Sequence, residues 1–398
     1  MNLRAVILIV SLATVFAKKF CSYNEVLNVH KRGTYDFAVQ LLDRVSQDTD
    51  AHFVFSPIST WIQLITLARG ARGSTQKEIL KITRYHRNRC YQRKYRQIIN
   101  RMYKELKYVT KRSNVIAINH LLDIKQSFVN ETLKNKDTKI LMLNFKEVEE
   151  ATDKVNEVVQ ANMDGIIKDL IDEEDFEYTI FVMADTAYFK SDWLWPFNPA
   201  YTSRQTFYSE IGNAIGEVEM MKSVGYYKLT DVPFIQAKVL EIPFKPHMLS
   251  MLVFLPKKGS IRDIYYKMKE IRLSTISSLL KRVGPRLITV KIPRIKISTA
   301  EKNIPELVYD MGVKRIFYPD LANLTGITNS KIHVSSMSQA VDVEITEMGA
   351  RAIIAEYLTS KGASDVEFVA NRPFAFLIVD WKTEIILFAG IYSNPSIY

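Results

Sequence analysis

Six histidines, at positions 30, 52, 86, 120, 247 and 333, and two cysteines, Cys21 and Cys90, are the side chains of this 398-residue chain best suited to act as bases, nucleophiles or metal ligands. Their spacing gives them no such task. The chain has no G-x-S-x-G elbow, H-E-x-x-H helix, G-x-x-x-x-G-K-[ST] loop or G-x-G-x-x-G turn. The histidines and cysteines form no cluster spaced for zinc. The sequence is therefore read as not an enzyme, with no metal and no cofactor. Cys21 and Cys90 either bridge or remain a pair of thiols, because sequence supplies no distance between them.

The chemistry that remains is electrostatic. Net charge is +11, and between Arg84 and Arg112 eleven Lys and Arg stand against one acid, Glu105. Within this run Tyr95, Ile98, Ile99, Met102, Leu106 and Val109 recur at helical spacing and should face the core. Arg93, Arg96, Arg101, Lys104, Lys107 and Lys111 then fall on the solvent side. So many like charges on one helix repel. The segment reads either as a docking face for a heparin-like polyanion such as a sulfated glycan, or as a solvated basic helix without a dedicated partner.

The elements that must position these residues mix two periods. Helices are predicted over 24–46, 57–69, 74–83, 91–110, 151–170, 261–268, 272–282 and 301–311. Strands are predicted over 113–119, 179–189, 218–227, 237–243, 249–255, 287–292, 374–379 and 385–392. Strands and helices without regular alternation indicate an α+β fold. No linker, repeat or low-complexity tract divides the chain, so residues 18–398 are expected to form a single domain, as a monomer. Ahead of it, Arg4 precedes an apolar run ending in Val15-Phe16-Ala17, which reads as a secretory signal peptide cut after Ala17. The run is too short to span a bilayer, and no later stretch approaches that length. Asn130-Glu131-Thr132 and Asn323-Leu324-Thr325 are glycosylation acceptors, in keeping with a secreted, extracellular protein with no membrane partner. Export also argues against nucleic acid as the partner of the basic run.

Local sequences narrow the class further. Phe55-Ser56-Pro57-Ile58-Ser59, Tyr188-Phe189-Lys190-Ser191-Asp192-Trp193 with Phe197, Leu249-Ser250-Met251-Leu252 with Leu255-Pro256, and Val290-Lys291-Ile292-Pro293-Arg294 occur in that order. Met311-Gly312-Val313, Ala322-Asn323-Leu324-Thr325-Gly326-Ile327 and Asn371-Arg372-Pro373-Phe374 follow. Together these seven blocks resemble the serpin family, in register from about residue 30 to the C-terminus. The resemblance implies three β-sheets, eight or nine helices and an exposed reactive-centre loop. It also implies inhibition of a serine protease that cuts this loop, after which the loop inserts as a strand into the central sheet.

By that resemblance the loop runs from Glu347 to about Phe368, with a hinge at Glu347, Gly349, Ala350 and Ala352. Family spacing places the cut at Ala363-Ser364. Counting back from Asn371 suggests Gly362, and a shorter loop would put it after Lys361. A small residue suits an elastase-like protease and Lys361 a trypsin-like one. Alternation along an inserting strand would turn Ala350, Ala352, Ile354, Glu356 and Leu358 inward. Ile354 is bulky there, and burying the unpaired carboxylate of Glu356 is costly, so both should slow insertion and favour a non-inhibitory serpin. The family's sheet-opening region corresponds to Ser56, Ser59, Asp185, Trp193 and Gln339. Asp185 and Gln339 replace the usual Asn and His, and either preserve one hydrogen bond with donor and acceptor exchanged or signal a relaxed demand on sheet opening.

Overall fold

A computed structural model of the chain describes residues 21–176, 179–245, 248–347 and 366–397. The expected signal peptide, 1–17, and the loop positions Gly349 to Ser364 lie outside the described residues, as does His247.

The first helix, α1 (Tyr23–Asp48), opens on Ser22, whose side chain accepts from Glu25 N–H in a capping box that satisfies first-turn donors. Strand β1 (Phe53–Phe55) leads into α2 (Pro57–Gly70), where Pro57 occupies the first turn, a position that has no use for its missing N–H. Next come α3 (Gly73–Thr83) and α4 (Arg89–Glu105), the latter burying Tyr95, Ile98, Ile99 and Met102 as their spacing predicts. The helix expected over 91–110 stops at Glu105. Residues 106–109 form a turn, and β2 (Thr110–Asn119) begins at once. Lys107 and Lys111 therefore leave the helix on which they were expected.

After α5 (Gln126–Thr132) and β3 (Thr138–Leu143), α6 (Val148–Asn162) ends eight residues short of the expected 170. Its end is set by Asp164 and Gly165, both at positive φ, 51° and 74°. The chain then enters β4 (Phe181–Lys190), followed by β5 (Ser203–Tyr208), β6 (Ala214–Val232), β7 (Ala237–Pro243) and β8 (Leu249–Pro256). Short α7 (Ile264–Met268) and α8 (Leu273–Val283) precede β9 (Arg286–Pro293), β10 (Ile295–Glu301) and α9 (Ile304–Asp310). The last strands are β11 (Ser336–Ile345), β12 (Glu367–Val369), β13 (Phe374–Asp380) and β14 (Ile385–Tyr392).

One sheet has the order β10-β11-β4-β2-β3. A second ladder runs β1-β14-β13-β8-β7-β6-β9-β12, with β5 beside β6. β6 is long enough to serve two neighbourhoods. Its Lys228–Val232 end pairs with β7, while Met220 to Tyr227 pairs with β9. The ladder thus behaves as two sheets sharing one strand, which with the five-stranded sheet makes three. The α+β class holds. β10 and β11, which the residue pattern did not mark as strands, supply two of the five strands of the first sheet. Among the described residues no helix is long and apolar enough to cross a membrane.

Cys21 and Cys90 are bridged, with Cα atoms 6.2 Å apart, tying the start of α1 to the start of α4 across 69 positions. Both alternatives left by sequence are thereby reduced to one. A loop of that length, once closed, loses unfolded-state entropy worth roughly 2–4 kcal/mol. Replacing both cysteines by serine should lower unfolding free energy by about that amount. Urea titration checks this, and an unchanged midpoint would show that the bridge adds nothing.

Candidate functional site

His30 and His52 make structural contacts. His30 is buried, stacks on Tyr95 at 3.8 Å and bonds Val26 O, and burial lowers its pKa to about 4. His52 accepts from the backbone N–H groups of Ser393 and Asn394. No group of three or more His, Cys, Asp or Glu able to hold a metal occurs among the described residues.

The residues singled out on α2, β4 and β11 do come together, along one seam. β4 and β11 lie side by side and parallel, from Ser336 opposite Val182 to Glu344 opposite Lys190. β11 ends at Ile345, and the chain resumes at β12, which pairs with β9 in the other ladder. A segment leaving the end of β11 and turning back between β11 and β4 would run antiparallel to both. It would exchange one parallel ladder for two antiparallel ones, which are slightly more stable per residue.

Side chains close the seam at its upper end. Lys190 Nζ and Tyr188 Oη on β4 both donate to the Glu344 carboxylate on β11, at 2.8 and 3.3 Å. Trp193, stacked on Phe244 at 4.5 Å, donates its indole N–H to Thr346 O at 2.8 Å. One residue further, Glu347 is held by Arg294 Nε, 2.8 Å from each carboxylate oxygen, and by the Thr202 hydroxyl at 2.6 Å. Arg294 also pairs with Glu219 on β6. Burial pushes the Glu347 carboxyl up, but Arg294 and Thr202 more than offset this and hold it below its ordinary range. Glu347, the first residue of the expected hinge, is thus an anchored carboxylate, and Arg294 and Thr202 carried no sequence signal for that role.

Halfway down, Gln339 and Asp185 face each other across the seam. The expected hydrogen bond between them is not made. Gln339 instead accepts from Ser56 N–H at 2.8 Å and donates to Ser56 O at 3.1 Å and to the Thr60 hydroxyl at 3.4 Å. Ser56 Oγ donates to Leu387 O at 2.8 Å and lies 3.1 Å from Ser59 Oγ. On the other side, the Asp185 carboxylate accepts from Arg112 at 3.1 Å and from Asn114 at 3.3 Å, both on β2. Asp185 is fully buried and the Arg112 side chain 6% exposed. Burial pushes the Asp185 carboxyl above the usual carboxylate range, although Arg112, Ser59 and Asn114 pull the other way. Arg112 also donates to Ser59 at 3.2 Å and lies over the Tyr103 ring. The polar groups therefore belong to opposite lips: Asp185 to β2 and Gln339 to α2. Arg112, which the sequence offered only as one basic residue among eleven, completes the site.

Below this level α6 covers the seam. Val155, Val159 and Met163 form one buried cluster with Val115 and Ala117 of β2, Val182 and Ala184 of β4, and Ala340 of β11. A strand entering past Asp185 must pass beneath that layer.

The basic residues divide. Arg96 pairs with Glu131 on α5, Arg101 with Glu105, and Lys111 with Asp164. Arg93 and Lys104 remain exposed on α4, and Lys107 sits in the following turn over Tyr108. Asn130 and Asn323 are both exposed.

A family profile described as serpin, serine protease inhibitor, matches residues 32–395. Human serpin I2 is 24% identical over 376 residues, covering 91% of this chain and 90% of its own. Human protein Z-dependent protease inhibitor is 27% identical, covering 92% and 82%. Native protease nexin-1, solved with heparin, superposes with a TM-score of 0.81 at 24% identity, covering 93% of this chain and all of that one. Uncleaved ovalbumin gives 0.82 at 23%, covering 92% of this chain and all of its own.

Arg112→Met leaves the Asp185 carboxylate buried with Asn114, and should cost about 3–5 kcal/mol at pH 7. Since burial already raises the Asp185 pKa, the ionised form is the costly one. The variant's deficit should therefore shrink as pH falls from 7 toward 5 and the carboxyl protonates. Asp185→Asn, which leaves Arg112 its contacts with Ser59 and Tyr103, should cost less. Urea unfolding at both pH values measures this. Equal costs for the two variants, or a deficit independent of pH, would contradict it.

Proposed function

This chain belongs to the serpin family, and from that premise we propose that it is a secreted inhibitor of a serine endopeptidase, acting as a monomeric suicide substrate. Serpins are protease inhibitors rather than enzymes, so the activity is assigned to the loop and the seam, and no catalytic pocket is invoked. A target protease cuts at Ala363-Ser364, or at Gly362 or Lys361 in the other registers, and remains acylated on the severed loop. The loop then enters between β4 and β11 and carries the protease with it.

The observation that carries this reading is the parallel seam, whose β11 edge leads straight into the loop. Inhibition requires entry to outrun hydrolysis of the acyl bond. Secretion is supported by the leader pattern of residues 1–17 and by the Cys21–Cys90 bridge, since disulfides persist in oxidising compartments. Glycosylation at Asn130 and Asn323 follows from the same premise.

A second reading has its own observation. Ile354 and Glu356 oppose burial in the seam, which favours a non-inhibitory serpin that serves as carrier, ligand or protease substrate. Incubation with elastase-like and trypsin-like proteases separates the two. Inhibition gives an SDS-stable complex and a nicked form of higher melting temperature. Clean cleavage without complex supports the second reading. If Glu356 limits entry, Glu356→Ala should raise the fraction of protease trapped, and no change would clear that residue.

Protease nexin-1 has been solved with heparin, and a sulfated glycan on α4 is the corresponding proposal here. Arg93, Arg101, Lys104 and Lys107 would carry it, by a field that salt screens. Reversing these four to Glu should make the protein leave a heparin column at markedly lower salt. Unchanged elution would remove α4 from the binding surface.

A further inference from the structure

Positive charge also gathers in a cleft beside α4, only part of it from the helix's outward stripe. The last turn of α2, the first turns of α3 and α4, and α5 enclose about 890 Å³, lined by Arg69, Arg72, Arg87, Arg89, Arg93 and Arg96 together with Lys134. One acid, Glu131, also lines it, and Arg96 and Lys134 already pair with that carboxylate. These two cations hold its pKa down to about 2 against the upward push of burial, so it is ionised at neutral pH. Arg69, Arg72, Arg87, Arg89 and Arg93 form no ion pair among the described residues.

Two details show a built recess rather than a run of surface charge. Nη1 of Arg69 is buried and has no hydrogen-bond partner among the described residues. A buried guanidinium donor left unpaired is costly unless an acceptor reaches it. Arg72 is fixed as well. Its Nη1 donates to Arg69 O and Ala71 O, both at 2.8 Å, which leaves the remaining guanidinium N–H groups for other acceptors. The guanidinium packs against Gly326, where an added Cβ would meet Gly70 O at 2.6 Å and Arg72 Cζ and Nη1 at 2.7 Å. A side chain at 326 would therefore clash with both the α2 backbone and that guanidinium.

We propose that this cleft binds a compact molecule carrying several phosphate or sulfate esters, which accepts from the arginine forks and from the unpaired Arg69 donor. Guanidinium presents paired N–H groups that match the oxygens of such esters. The arginines converge on one recess from the end of α2, from α4 and from the turns that precede α3 and α4, a geometry suited to a small, densely charged ligand. An extended glycan chain instead needs charges in a line, and at the far end of α4 Arg101 and Lys382 already share Glu105. The site shares Arg93 with the proposed glycan surface but draws its other arginines from outside it, and stands whether or not the loop inhibits a protease.

Titration calorimetry of the full protein in physiological salt, with inositol hexakisphosphate and inositol hexasulfate as probes, tests the assignment. One saturable site is expected for at least one probe, with a melting temperature that rises with its concentration. The triple variant R87Q/R89Q/R93Q, built on exposed side chains, should bind at least tenfold more weakly at unchanged unfolding midpoint. R69Q should weaken binding similarly. K104Q/K107Q should bind within twofold of the unaltered protein. Which probe binds more tightly distinguishes phosphate from sulfate esters. The proposal is overturned if neither probe saturates a single site, or if K104Q/K107Q loses as much affinity as the triple variant. Binding of heparin fragments alone would equally reject the compact ligand while leaving the glycan surface on α4 intact.

Discussion

Two strands running the same way, one of which leads toward the expected loop, set the terms for everything else in this molecule. The β4–β11 pair is complete as it stands, yet the segment that follows β11 can improve it only by entering it. On the proposed mechanism the structure has to hold together a junction that it must also be able to part. The upper clasp of Lys190 and Tyr188 on Glu344, with Trp193 on Thr346, opposes parting where the strand would enter. Each is a contact at the rim, and charge-assisted or indole hydrogen bonds of this kind are worth about 1–3 kcal/mol apiece. A handful of them can regulate parting without forbidding it.

Deeper in the seam, the polar groups are sorted by lip. Gln339 is bound to the start of α2 through Ser56 and Thr60, and Asp185 to β2 through Arg112 and Asn114. Parting the strands here breaks backbone bonds and leaves the Gln339–Ser56 and Asp185–Asn114 contacts in place, while the Arg112–Ser59 bond joins the two sets. An Asp185–Gln339 bond would have had to break on each opening and would leave two buried polar groups unpaired. Charge enters the same logic. A buried carboxylate is tolerable only with a cation beside it, and Arg112 supplies that cation from the neighbouring strand β2.

Much of this was legible in residue pattern. The spacing of Tyr95, Ile98, Ile99 and Met102 marked the buried face of α4, and Pro57 marked the start of α2. Strands rich in β-branched and apolar residues, such as β7, β8, β13 and β14, were located to within a residue or so. β11 was missed because it contains Ser, Gln, Asp and Glu on a strand buried on both faces, and only its neighbours β4 and β10 stabilise it there. The end of α4 was overshot because Leu106 and Val109 continue the helical spacing into a turn. The Cys21–Cys90 bridge needed a distance, and the ion pairs of Arg294 and Arg112 join residues 53 and 73 positions apart.

By itself the sequence determined the α+β class, the family, the core faces of the long helices, the absence of recognised catalytic motifs and the local excess of positive charge. Those properties depend on residue type at short spacing, which hydrophobic burial and steric preference translate directly into structure. Tertiary structure decided which charges are neutralised, which polar groups share a lip of the seam, and where six arginines converge. Coulomb and hydrogen-bond energies depend on separation and burial in space, and only the folded chain sets those distances.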